Sequence, residues 1–107
     1  MKTETATLKI GQHRGSPRLW IEGARLTRSG FEPGERVAVR FVAQSDAGPC
    51  ILITSADPNN AATHTISKRE RGGRVIPIID AHDQAFAALG ERVAVSFAFG
   101  LITITRS

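Results

Sequence analysis

The chain is poor in the residues that carry most recognisable chemistry. It has one cysteine, one methionine, one tryptophan and no tyrosine among 107 residues. A single cysteine, Cys50, excludes an internal disulfide and a cysteine-based zinc site, and it fits a reducing cytoplasm. No apolar run approaches the roughly 18 residues that a membrane helix needs. The opening stretch MKTETATLKI lacks the apolar core of a signal peptide. The expectation is therefore a cytoplasmic chain without membrane attachment. The three histidines, His13, His64 and His82, have no second histidine or cysteine at metal-ligand spacing, so no metal site is expected. There is no Gly-x-Ser-x-Gly, no phosphate-binding Walker loop and no dinucleotide fingerprint, so neither a catalytic residue nor a cofactor is assigned.

What is present is globular. Hydrophobic residues make up 41% and charged residues 22%, outside the range of disordered chains. At this length one domain spanning 1–107 is expected. The net charge of +4 is unevenly spread. Residues 11–28 carry +3, from Arg14, Arg18, Arg25 and Arg28 against Glu22, and residues 65–76 carry +3, from Lys68, Arg69, Arg71 and Arg74 against Glu70. The other 77 residues carry −2. Eleven of the 14 basic residues are arginine, the side chain suited to bidentate contact with phosphate and guanine.

The chain also repeats itself. Gly34-Glu35-Arg36-Val37-Ala38-Val39 recurs as Gly90-Glu91-Arg92-Val93-Ala94-Val95, an offset of 56 residues. The same offset places Ile10 on Ile66, Arg18 on Arg74, Leu19 on Val75, Trp20 on Ile76 and Phe41 on Phe97. After about five extra residues around 45–49, Ile51-Leu52-Ile53-Thr54 matches Ile102-Thr103-Ile104-Thr105. Repeat one is 1–55, a linker covers 56–62 and repeat two is 63–107.

Each half reads as strand, polar loop, strand, short helix and hairpin. The first strand alternates Ala6, Leu8 and Ile10 with polar residues, and His64-Thr65-Ile66 is its counterpart. Loops are expected at 11–17 and 67–73, second strands at 18–22 and 74–79, and helices at 24–29 and 81–89. Asp80 is the expected N-cap of the second helix, with Asp83 in its first turn. Gly30 and Gly90 are suited to closing the helices. Val37, Val39 and Phe41 share a hairpin face, as do Val93, Val95, Phe97 and Phe99. Trp20 and Ile76 occupy equivalent positions and are expected in the core or next to it. A unit of 45–50 residues is too small to close a core alone. The expected fold is therefore mainly β with two short helices, a pseudo-two-fold β-barrel in which the two copies bury their apolar faces against each other.

These residues resemble a known superfamily. Thr65-Ile66-Ser67-Lys68-Arg69-Glu70-Arg71-Gly72-Gly73-Arg74-Val75-Ile76-Pro77, then a helix, then Leu89-Gly90-Glu91-Arg92-Val93, resembles the AbrB-like swapped-hairpin domain. His13-Arg14-Gly15-Ser16-Pro17-Arg18-Leu19-Trp20-Ile21-Glu22-Gly23 with Gly30-Phe31-Glu32-Pro33-Gly34-Glu35-Arg36-Val37 looks like the SymE-type toxin branch. The second half departs from the pattern at Ala88-Leu89-Gly90, which has no Pro-Gly, and Ile21 stands where the second half keeps Pro77. The resemblance implies a single-chain equivalent of a hairpin-swapped dimer, a monomer or weak homodimer that binds DNA. For the SymE branch it implies a toxin acting on nucleic acid, RNA included. The contact loop and helix start of the family add Arg25, Arg28 and His82 to the residues that charge alone selects.

The nucleic-acid-binding candidates are therefore His13, Arg14, Arg18, Arg25, Arg28, Lys68, Arg69, Arg71, Arg74 and His82. Paired basic patches in a two-fold fold match duplex DNA, whose backbone has its own local two-fold. The leading expectation is a non-enzymatic duplex DNA-binding regulator, associated with the nucleoid. A SymE-like toxin is the alternative, and a protein-interaction or inhibitor module is a third reading. Arg36 and Arg92 follow Glu35 and Glu91 and read as structural or solvated. Cys50 precedes an apolar strand and reads as packing.

Overall fold

A computed structural model describes residues 3–107 of the chain. Among them ten strands form two antiparallel sheets. The strands are β1 (Glu4–Lys9), β2 (Gly11–His13), β3 (Ser16–Glu22), β4 (Arg36–Val42), β5 (Cys50–Ser55), β6 (His64–Thr65), β7 (Ser67–Arg71), β8 (Arg74–His82), β9 (Arg92–Ala98) and β10 (Leu101–Arg106). A one-turn helix α1 (Ala24–Arg28) and a 3-10 helix (Gln84–Leu89) are the helical elements. The larger sheet runs β1-β9-β10-β5-β4-β6 and the smaller runs β2-β3-β8-β7. The strands thus divide into two sheets, and a single closed barrel is not formed among the described residues.

The pairing crosses between the two halves. Leu8 of β1 faces Val93 of β9, and His64 of β6 faces Val37 of β4. Moved by 56 residues, the first pair becomes the second. In the small sheet β3 and β8 run antiparallel, and Glu22 faces Ile78, its own equivalent at that offset. In the large sheet β5 and β10 do the same, with Leu52 facing Thr103. Past Glu22 the ladder continues only as one hydrogen bond, from Gly23 N to the Pro77 carbonyl at 3.2 Å.

One buried cluster draws on both halves. It includes Leu19, Ile21, Leu26, Phe31, Val37, Ile51 and Ile53 from the first, and Ile66, Ile79, Phe86, Leu89, Val93, Val95, Ile102 and Ile104 from the second. Because the cluster is shared, burial of apolar surface holds the two halves together. Helix α1 ends in a Schellman motif: Phe31 N–H donates to the Leu26 carbonyl at 2.9 Å and Gly30 N–H to Thr27 at 3.0 Å. Gly30 takes the left-handed conformation at φ 88°, and Leu26 and Phe31 are both fully buried beneath it.

Several expectations are corrected here. Residues 11–17 and 67–73 form strands of two tight hairpins, β2–β3 and β7–β8. The turn residues Arg14-Gly15 and Gly72-Gly73 all have positive φ, which is what a two-residue hairpin turn of the primed type requires. The second helix does not begin at Ala81. Ala81 and His82 continue β8, paired with Leu19 and Arg18, because Ile79 and Ala81 bury themselves beside Leu19 and Ile21. Asp83 is the N-cap, accepting a 2.8 Å hydrogen bond from Ala85 N–H, and Asp80 caps nothing. Phe99 leaves the hairpin face and is 70% exposed in the β9–β10 turn, its ring 3.0 Å from where a Gly30 side chain would begin. Trp20 is 38% exposed and turned to solvent, whereas Ile76 is half-buried; neither is part of the buried cluster.

Candidate nucleic-acid interface

In an antiparallel ladder, directly opposed residues project from the same face. In β3 the buried positions are Pro17, Leu19 and Ile21, so Arg18, Trp20 and Glu22 point away from the core. Their partners on β8 are His82, Asp80 and Ile78. On the β2 side, Gly11 faces Arg18 and His13 faces Ser16. On the β7 side, Arg69 faces Ile76 and Arg71 faces Arg74. The outer face of the small sheet therefore presents His13, Arg18, Trp20, Asp80, His82, Arg69, Arg71 and Arg74 together, with Arg14 on the turn at one corner.

Within that face some cations are already engaged. Arg18 donates from Nε and Nη2 to the two Asp80 carboxylate oxygens at 2.7 and 2.8 Å. The same guanidinium lies 4.6 Å from the centroid of the Trp20 ring. The Arg18 hydrogen bonds hold the Asp80 carboxyl below the usual carboxylate range, with the charges of His82 and His13 acting in the same direction. The His13 and His82 rings are 5.1 Å apart, tilted by 40°. Arg69 Nη2 lies 3.0 Å from Glu22 Oε2. That contact lacks hydrogen-bond alignment, so the buried Glu22 oxygen is ion-paired without being hydrogen-bonded.

Arg14, Lys68, Arg71 and Arg74 make no ion pair among the described residues. Every residue of β7 is exposed, which leaves a basic ribbon standing out from the sheet. Arg14 itself sits at φ 50°, a left-handed conformation that costs a non-glycine residue roughly 1–2 kcal/mol.

The ten candidates thus separate. His13, Arg18, Arg69, Arg71, Arg74 and His82 share the outer face, and Arg14 adjoins it. Lys68 is exposed on the opposite side of the ribbon, in register with Pro77. Arg25 and Arg28 stand elsewhere, on α1. Arg28 makes a bidentate pair with Glu4 at 2.6 and 2.9 Å, and Arg25 Nε lies 3.9 Å from Glu4 while its Cζ stands 5.8 Å from the Phe97 ring centroid. Trp20 is the residue that charge counting missed. The signal was the two-residue spacing of Pro17, Leu19 and Ile21, hidden because Leu19-Trp20-Ile21 is an unbroken apolar run.

His64 lies apart from this face on β6 but within its field. Burial pushes its imidazole below the ordinary value, His82 adds to that, and Asp80 opposes it. Among the described residues no three histidine, cysteine or acidic side chains gather as a metal-binding group, and no helix is long and apolar enough to cross a membrane. Comparison with protein-family models, with curated proteins and with solved structures returns no match.

Proposed function

We propose that the chain is a non-enzymatic nucleic-acid-binding protein that docks on duplex DNA through the outer face of the small sheet and its two hairpin turns. The observation that carries this reading is the convergence of His13, Arg18, Arg69, Arg71, Arg74 and His82, scattered over 70 positions of sequence, on one solvent-facing surface. Its two carboxylates, Asp80 and Glu22, are already paired to arginines, so the remaining field is cationic and attracts phosphate. The β7–β8 hairpin is a two-stranded ribbon of the kind a major groove admits. The Arg14-Gly15 and Gly72-Gly73 turns lie at opposite ends of the sheet because β3 and β8 are antiparallel. At about 3.3 Å per residue along β8 they stand roughly 30 Å apart, close to one turn of duplex DNA.

The cross-pairing of β1 with β9 and of β6 with β4 supports a swapped-hairpin arrangement folded within one chain, a pseudo-dimer of the AbrB-like kind. On that reading the chain is a monomer at micromolar concentration, and an obligate dimer by light scattering would contradict it. Mobility-shift titrations against duplex DNA and against structured RNA, with Arg14→Glu/Arg71→Glu beside the parent, test the function. Duplex binding lost in the double variant supports it. Tighter binding to RNA would favour the SymE-like toxin reading, and binding to neither would leave the protein-interaction reading.

A further inference from the structure

The same face holds a feature that duplex docking does not use. Trp20 is the chain's only tryptophan, and it is 38% exposed on a sheet face it shares with Arg18, Asp80 and His82 and, further along β8, with Ile76 and Ile78. A tryptophan needed for packing would lie on the Leu19 and Ile21 side of β3. Trp20 is instead held in place on the solvent side. The Arg18 guanidinium lies 4.6 Å from its ring centroid, and Arg18 is itself fixed by two hydrogen bonds to Asp80. The indole is thus a pre-oriented π surface beside a cation, with little rotamer freedom left to lose on binding.

Beside the ring a cleft of about 220 Å³ opens between β3 and the β1–β9 edge, lined by Leu8, Trp20, Ile21, Glu22, Arg25 and Phe97. It is large enough for one planar heterocycle, and it offers an apolar floor, the indole and a cation at its rim. Cationic surroundings with an exposed aromatic on a sheet face are the physical requirements for holding an unpaired base while the backbone is neutralised nearby.

We propose that Trp20 and its cleft form a stacking subsite for an unpaired nucleobase, so that the protein also engages single-stranded stretches of nucleic acid. Arg18 keeps the indole oriented, and Arg71 and Arg74 on the neighbouring ribbon neutralise the strand's phosphates. This rests on the nucleic-acid reading above and specifies which part of the ligand meets the sheet.

Because the chain has one tryptophan and no tyrosine, its intrinsic fluorescence reports Trp20 alone. The test titrates the whole protein with a 12-nucleotide oligothymidylate, with a blunt 12-base-pair duplex and with inorganic phosphate. The expected result is quenching of Trp20 emission by the single strand and none by phosphate. Anisotropy of a labelled oligothymidylate should show Trp20→Phe binding close to the parent. Trp20→Ala should bind about 5- to 150-fold more weakly, the cost of losing one stacked base. Circular dichroism confirms that both variants fold. Single-strand binding with unchanged Trp20 emission, or undiminished in Trp20→Ala, would overturn the subsite and leave duplex binding standing. Duplex binding without single-strand binding would overturn it equally. Failure of the parent protein to bind any of the nucleic acids would instead remove the reading on which the subsite rests.

Discussion

Arg18 and Asp80, 62 residues apart, are joined by two parallel hydrogen bonds across the β3–β8 ladder. The pair gathers what the sequence distributes to two separate tasks, a phosphate contact and a helix cap. Asp80 keeps its negative charge to lower pH than a free aspartate because Arg18 is beside it. A carboxylate whose folded value is depressed stabilises the fold above the unfolded value of about 4. That contribution disappears as pH falls through the lower folded value. Asp80→Asn should therefore melt a few degrees below the parent at neutral pH, with the two curves converging as pH falls below the ordinary aspartate range. Equal melting temperatures at pH 7 would show that the exposed pair contributes nothing.

His64 gives a second acid-sensitive step at higher pH. Its folded value is lowered, chiefly by burial, so the unfolded chain binds the proton more readily. Stability from this group is complete above the unfolded value of about 6.5 and is lost as pH falls through the folded one. Thermal melts between pH 7.5 and 5 should show a decline that His64→Gln removes. A slope unchanged in the variant would place the titration elsewhere.

On the proposed docking, Arg14 sets stability against binding. Its φ of 50° suits asparagine or glycine better than arginine. Arg14→Asn should stabilise the fold by roughly 0.5–1 kcal/mol while weakening duplex binding through the lost cation. Urea denaturation and a mobility shift on the same variant check both signs. A destabilised Arg14→Asn would mean that the arginine side chain makes a compensating contact.

On the proposed docking, the salt dependence of duplex affinity separates two countings of the site. Eight cations selected by sequence would neutralise about eight phosphates, for a slope of log affinity against log salt near −7. Arg18, Arg25, Arg28 and Arg69 are paired with carboxylates. Of the four others, Lys68 lies on the opposite side of the ribbon, so Arg14, Arg71 and Arg74 give a slope of about −2.7. Reversal of Arg71 and Arg74 to glutamate should flatten it further, whereas Arg36 and Arg92, outside this face, should matter little. A measured slope near −7 would mean that the paired arginines release their partners on binding.

Phe31 tests the shared core. It is fully buried under the α1 terminus, and Phe31→Ala should cost about 3–5 kcal/mol, a large part of the stability of a domain this size. Chemical denaturation should show a lower midpoint with an unchanged slope. A loss below about 1 kcal/mol would mean that α1 packs loosely against the sheets.

The alternation of Ala6 and Leu8, the Gly30 helix end and the six-residue motif repeated at an offset of 56 are local signals. They rest on backbone sterics and side-chain periodicity, which a linear chain carries in itself. The β-rich class and the equivalence of Val37 with Val93 were legible for that reason. Which face of β3 meets the core was decided by long-range pairing: Trp20 sits between two buried neighbours, and only the ladder with β8 determines that it points outward. The same holds for Asp80. Its cap role was locally reasonable, but burial of Ile79 and Ala81 beside Leu19 and Ile21 extends β8 and delivers the carboxylate to Arg18. Charge counting likewise found the arginines without showing which of them the fold pairs with Glu4, Glu22 and Asp80. Ion pairs between residues distant in sequence form only after burial of the apolar faces has set the distances between them.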